Sequence, residues 1–342
     1  MRKVLLFAVV SLLLLSCGRK GRSGEGEAFR GIYYWKTDFV ITPSDSAFLS
    51  AHRIDRIYLR FFDVILSNKA NTGYTGPVPN ATVTFSSPKP ESIEIVPVVF
   101  ITLEALKDMT VSGRTGESAG KIFSRIDAMC RSHGLGPLRE IQIDCDYTER
   151  TKDGYFALCK ALRAFLEPKG ISLTSTLRLH QLRDAAPPVD AVSLMLYNTD
   201  NFRRADVDNS ILNPQTVKTY LKGDYPLPAS VALPLYSWGI WMRDGSFRAI
   251  LHKSEYSDTL LYKAGEDNRY TVIRDHIVEG HDLREGDVIR MESSPIEVVT
   301  EVQEYARRYL GSRSVILYHL DSLSLSRYSF DQIEKLYSHA SD

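Results

Sequence analysis

The chain has 342 residues, of which 44% are hydrophobic, 25% charged and 10% aromatic. That profile excludes collagenous, low-complexity and wholly disordered chains, and it supplies a core that needs no staples. Lys+Arg and Asp+Glu both number 42, so the net charge is zero and the basic excess that nucleic-acid binding exploits is missing.

The N-terminus differs from everything after it. Arg2 and Lys3 precede an apolar run from Val4 to Leu15, which ends in Ser16 and Cys17. A charged start, a dozen apolar residues and a small residue make a secretory signal, too short for a stable transmembrane span. The tetrapeptide Leu14-Leu15-Ser16-Cys17 resembles the bacterial lipobox, in which the Cys is lipidated and becomes the first residue. Residues 1–16 are therefore expected to be a signal peptide and Cys17 the lipid anchor. Residues 18–28 are Gly-rich and charged, and read as a leash of about ten residues that reaches roughly 30 Å when extended. Gly18 follows the Cys where an Asp would favour inner-membrane retention, so the outer membrane of a bacterial envelope is the expected location. The remaining Cys130, Cys145 and Cys159 form no C-x-x-C pair, which excludes a disulfide scaffold and a Cys-type zinc site.

From residue 29 onward, strand-like runs alternate with helical patterns. The strands are expected at 31–36, 56–64, 94–102, 140–147, 171–179, 191–198, 230–238 and 314–321. Helical spacing of apolar residues marks 117–133, 153–166 and 296–310. Near-continuous apolar strands separated by amphipathic helices predict a parallel sheet covered on its outer face. Eight in succession predict an α/β fold, a (β/α)8 TIM barrel over residues 29–342. The rival, an open doubly wound sheet, would want a Gly-rich first turn, and GIYYWKTDF has none. Residues 242–292 break the alternation with short polar strands and read as a small β-rich insertion after strand seven. Residues 66–92, rich in Asn, Gly, Pro and Ser, read as a long loop.

Barrel enzymes carry their chemistry at the carboxyl ends of the strands. Side chains alternate along a strand, so Gln142, Asp144 and Asp146 share one face while Ile141, Ile143 and Cys145 share the other. Two carboxylates that close repel, and one pKa should rise, as acid catalysis requires. The bland reading pairs one Asp with Arg60 or Arg178. Trp35 and Trp238 adjoin polar strand ends, where aromatic faces could stack on sugar rings. Arg60 and Asp63 are either an ion pair or site groups, and His319 and Asp321 share a face at the end of strand eight. No H-E-x-x-H or P-loop motif occurs, and the single G-x-S-x-G match, GESAG at 116–120, falls at the start of a helical pattern and not at a strand end, so neither metal, serine-hydrolase nor nucleotide chemistry is expected, nor any cofactor.

IQIDCDYT followed by a helix resembles the strand-four signature of family-18 glycoside hydrolases, the chitinase-like barrels. AVSLMLYNT looks like strand six of that group, with Met195 and Tyr197 facing the sugar, and VALPLYSWGIW like its strand seven. The chain is also similar to a family of bacterial lipoproteins with a glycosidase-like barrel. In the Asp-Gly-x-Asp-x-Asp-x-Glu pattern, Asp144 and Asp146 fit the inner Asp positions. Ile141 stands at the first Asp and Thr148 at the catalytic Glu, with Glu149 one residue out of phase. The motif is thus degenerate. The resemblance implies a glycoside hydrolase acting on a polysaccharide or glycoconjugate; with the lipobox it is expected to be envelope-anchored, and it is expected to be a monomer. Asp146 would be general acid or base and Asp144 would tune it. Tyr197 would bond the reacting sugar, and Trp35, Arg60, Met195 and Trp238 would contact it. Asp321 is the expected second carboxylate, Asp63 the next choice. Thr148 at the Glu position motivates the alternative, a glycan-binding lipoprotein without catalysis.

Overall fold

The computed structural model describes residues 28–68, 73–252 and 255–338. The expected signal peptide, Cys17 and nearly all of the leash lie outside them. Eight parallel strands form the frame. They are β1 (Arg30–Tyr34), β2 (Arg56–Ser67), β3 (Glu94–Ile101), β4 (Glu140–Asp144), β5 (Ser172–Leu177), β6 (Ala191–Met195), β7 (Ala229–Pro234) and β8 (Val315–Tyr318). Each pairs with the next in chain order, and β1 closes the ring by pairing with both β8 and β2. The fold is a (β/α)8 barrel.

Alternation sets the two cores. Ile141, Ile143 and Cys145 point outward and pack with Ile122, Ile126, Leu158 and Leu162 from helices Thr115–Ser132 and Lys152–Leu166. The inward set, Tyr33, Tyr58, Val96, Val98, Met195, Tyr197, Ala232 and Ile316, fills the barrel interior. A buried polar chain crosses it. The Tyr33 hydroxyl donates to Gln142 Oε1 at 2.7 Å, and Gln142 Nε2 donates to Ser193 Oγ at 3.0 Å. Every member has a partner, as polar groups in a core must.

The insertion lies after β7, between Trp238 and Glu292. Five antiparallel strands form its sheet, in the order Ser246–Leu251, Trp238–Arg243, Val288–Glu292, Arg269–Val272, Tyr262–Ala264. It has its own core of Trp241, Leu251, Tyr256, Tyr262, Val272, Val278, Leu283 and Ile289. It starts four residues earlier than the polar pattern suggests. The barrel strand stops at Pro234, and Trp238 already pairs with Glu292 inside the insertion.

The stretch expected as one long loop after strand two holds structure of its own. Gly76–Asn80 pairs antiparallel with the far end of β2, and Thr84–Phe85 pairs with Asp38–Phe39. Its two prolines mask the first strand in the sequence pattern, yet an edge strand tolerates them because one side needs no donors.

Candidate active site

A cavity of about 280 Å³ opens at the carboxyl ends of the strands. Trp35, Arg60, Asp63, Phe100, Asp144, Asp146, Arg178, Met195, Tyr197, Asn198 and Tyr318 line it. Six of the eight expected barrel site residues meet here: Trp35, Arg60, Asp144, Asp146, Met195 and Tyr197.

Asp144, the last residue of β4, points inward and is almost fully buried, with 3% of its side chain exposed. Its Oδ1 accepts from Thr176 Oγ1 at 2.6 Å. Burial pushes its carboxyl above the usual Asp range. Arg178 opposes that shift and the charge of Asp146 reinforces it. Asp146 lies one turn of alternation further out, past the end of the strand, and half of its side chain is exposed. Arg178 Nε donates to Asp146 Oδ1, while Arg178 Nη2 stands 3.6 Å from Asp144 Oδ1. The third nitrogen, Nη1, contacts the sulfur of Met195. One guanidinium therefore bridges both carboxylates, so the pairing with Arg178 is present alongside the twin-Asp arrangement.

Arg60 and Asp63 form a two-point pair, Nε to Oδ1 at 2.8 Å and Nη2 to Oδ2. The Arg60 guanidinium also lies 5.8 Å from the Trp35 ring centre. Tyr197 contributes a hydroxyl that is buried and has no partner among the described residues. Burial pushes that phenol well above its ordinary pKa, so it stays a neutral donor. Tyr318 packs against Tyr197 with the rings tilted and 4.8 Å between their centres, and its own phenol is pushed up to about 12 by burial. Asn198 takes a left-handed backbone at φ 51°, which Asn tolerates better than bulkier residues, and accepts from the Tyr236 hydroxyl at 2.8 Å.

Two expected members are engaged outside the lining. Asp321 caps helix Ser322–Leu325, accepting from Ser324 N at 3.0 Å and Ser324 Oγ at 2.8 Å. Although burial would raise its pKa, these bonds and Lys36 at 3.6 Å hold it below the usual range. Trp238 packs edge-on against Tyr236 at 5.2 Å, and its indole N–H donates to Glu292 at 2.7 Å. Thr148 also falls outside the lining; its N–H bonds Thr151 Oγ1 at 2.9 Å in the turn before helix Lys152–Leu166. His180 is exposed at the rim, its Nε2 3.4 Å from the Tyr147 carbonyl.

Tyr318, Asn198 and Phe100 join the lining without being expected there. Tyr318 carries a signal: as the last residue of an apolar strand, it sits where barrel side chains turn into the mouth. In the sequence Arg178 is visible only as one of two possible counter-charges.

Comparison with solved structures places this frame in a known class. A chitinase from Chromobacterium violaceum superposes with a TM-score of 0.56 at 11% identity, covering 92% of this chain and 98% of that one. Group II chitinase catalytic domain 2 of Ostrinia furnacalis, a mutant solved in complex with penta-N-acetylchitooctaose, gives 0.54 at 12% identity over 92% and 96%. The family-18 chitinase ChiB of Flavobacterium johnsoniae gives 0.50 at 12% over 92% and 94%. No family model matches the sequence, and no curated protein does. The chain is a glycoside-hydrolase-like TIM barrel that resembles the family-18 chitinases in fold.

Proposed function

We propose that this protein is an envelope-anchored glycoside hydrolase that takes a polysaccharide or glycoconjugate into the barrel cleft. The observation that carries the reading is the meeting of Asp144, Asp146 and the Tyr197 hydroxyl, which has no partner among the described residues, in one aromatic-walled cavity. A chitinase of this fold holds an oligosaccharide. Asp146, half exposed at the mouth, acts in its protonated form: it gives its proton to the glycosidic oxygen as the C–O bond breaks, and water then bonds the anomeric carbon and returns a proton to Asp146. Asp63 is held by Arg60, Asp144 is buried against Thr176, and Asp321 lies outside the lining, so among the described residues no second carboxylate stands free in the cavity. That favours a substrate whose own 2-acetamido oxygen acts as nucleophile, as family-18 chemistry allows. Tyr197 donates to that group. Lipid on Cys17 holds the barrel at the membrane as a monomer, and Cys17→Ala should release it or leave an unprocessed precursor.

A second reading, binding without cleavage, rests on Arg178: its contact with Asp146 must open before that carboxyl can reach a substrate oxygen. Glycan-array binding and reducing-end release from chitin and peptidoglycan oligosaccharides separate the two. Release supports the hydrolase, binding alone supports the second reading, and neither defeats both.

A further inference from the structure

Arg178 has no role in the proposed reaction except as an obstacle, yet it lines the cavity between Asp144 and Asp146. Its neighbour Arg60 is spent, because Asp63 takes its Nε–H and Nη2–H in a two-point pair. Arg178 is held differently. Its donors go to three residues: Nε to the half-exposed Asp146, Nη2 toward Asp144 at 3.6 Å, Nη1 to the thioether of Met195. A separation of 3.6 Å is beyond a hydrogen bond, and thioether sulfur is a weak acceptor. Asp144 has Oδ1 occupied by Thr176, and burial drives it toward the neutral form. A guanidinium fork is best matched by one carboxylate taking two parallel donors, and Arg178 has no such partner.

We infer that Arg178 is a specificity-determining residue that receives a carboxylate carried by the glycan, so that the cleft prefers sugar acids to neutral sugars. The inference rests on the glycan reading above. An incoming carboxylate competes with Asp146 for the guanidinium and displaces it, which frees the half-exposed carboxylate of the cleft for proton transfer. A neutral sugar offers no such exchange and leaves Asp146 paired. The obstacle becomes a selector.

The test compares matched probes on the purified full chain: oligogalacturonate, hyaluronan hexasaccharide and an N-acetylglucosamine–muramic acid oligosaccharide, each as free acid and as methyl ester, with chitohexaose as neutral control. In titration calorimetry at least one acid should bind roughly ten-fold or more tightly than its ester, the scale of one charge-assisted pair. Arg178→Gln should erase that gap and Arg178→Lys should keep part of it. If Arg178→Gln does not fold, the acid–ester comparison on the unaltered chain decides alone. Binding to any probe without an acid preference in any pair overturns the inference and leaves the glycan reading standing. No binding to any of these probes, and none on a glycan array, removes the glycan reading and the inference with it.

Discussion

The two ends of the barrel carry similar charges and use them differently. At the amino end, Glu140 opens β4 and is buried; its Oε1 accepts from Thr174 at 2.7 Å and its Oε2 from Arg56 at 3.0 Å. Arg56 in turn reaches Glu94 at 3.4 Å and lies 4.2 Å from the Phe29 ring centre. Each carboxylate oxygen of Glu140 has a donor. At the carboxyl end, four residues further along the same strand, Asp144 and Asp146 share one arginine, Asp146 is half exposed, and the Tyr197 hydroxyl has no partner among the described residues. The first cluster completes its bonds within the chain. The second leaves bonds open toward a cavity, which is how a site differs from a structural ion pair.

The largest effect expected at the open end is on turnover. Asp146→Asn should lower reducing-end release by about 10²- to 10⁴-fold, the usual weight of a positioned acid. Because that side chain is half exposed, urea denaturation should show a stability change within about 0.5 kcal/mol. Unchanged turnover in a folded variant would end the assignment.

The closed end should respond in the opposite way. Arg56→Met leaves Glu140 buried without its counter-charge and should cost roughly 2–3 kcal/mol. That is below the full cost of breaking a buried pair, because Arg56 keeps 29% of its side chain exposed and Glu140 can take up a proton. Activity per folded molecule should hold. A loss of activity at full stability would mean that the two ends are coupled.

This division is partly legible in the amino-acid sequence. Period-two alternation puts Gln142 and Asp144 inside and Ile141, Ile143 and Cys145 under the helices, because a strand leaves each side chain only two directions. The barrel itself follows from eight near-continuous apolar strands. What escapes such a pattern is set by neighbours distant in sequence. Arg178 meets Asp146 across 32 positions because the ends of β4 and β5 lie side by side. Asp321 has the position of a site carboxylate, but Asp-Ser-Leu-Ser is also a helix-capping start, and the cap is the role it takes. Trp238 falls at the mouth only if strand seven runs four residues past Pro234, where the barrel strand in fact ends.

Tyr197 sharpens the contrast at a smaller scale. Tyr197→Phe removes a buried hydroxyl that bonds nothing within the described residues, so stability should hold or rise by up to about 1 kcal/mol. Oligosaccharide affinity or turnover should fall about ten-fold, one hydrogen bond's worth. A marked loss of stability instead would place the hydroxyl among the structural bonds, like those of the closed end.

The smallest effect is a pH dependence, and its sign follows from burial. Asp144 has a folded pKa above its ordinary value of 3.8. Between those two values the folded chain binds more protons than the unfolded one, so this residue's contribution to stability falls as pH rises through that window. Above the folded pKa the penalty of the buried charge is fully present. Asp144→Asn removes the ionisation while its amide oxygen can still accept from Thr176. The melting temperature of the variant relative to the unaltered chain should therefore climb as pH is raised from 4, then level off once Asp144 has ionised in the folded chain. Glu140, whose pKa burial also raises, is present in both proteins and drops out of the difference. A relative melting temperature that falls over this range would mean that Arg178 stabilises the Asp144 charge by more than burial costs it.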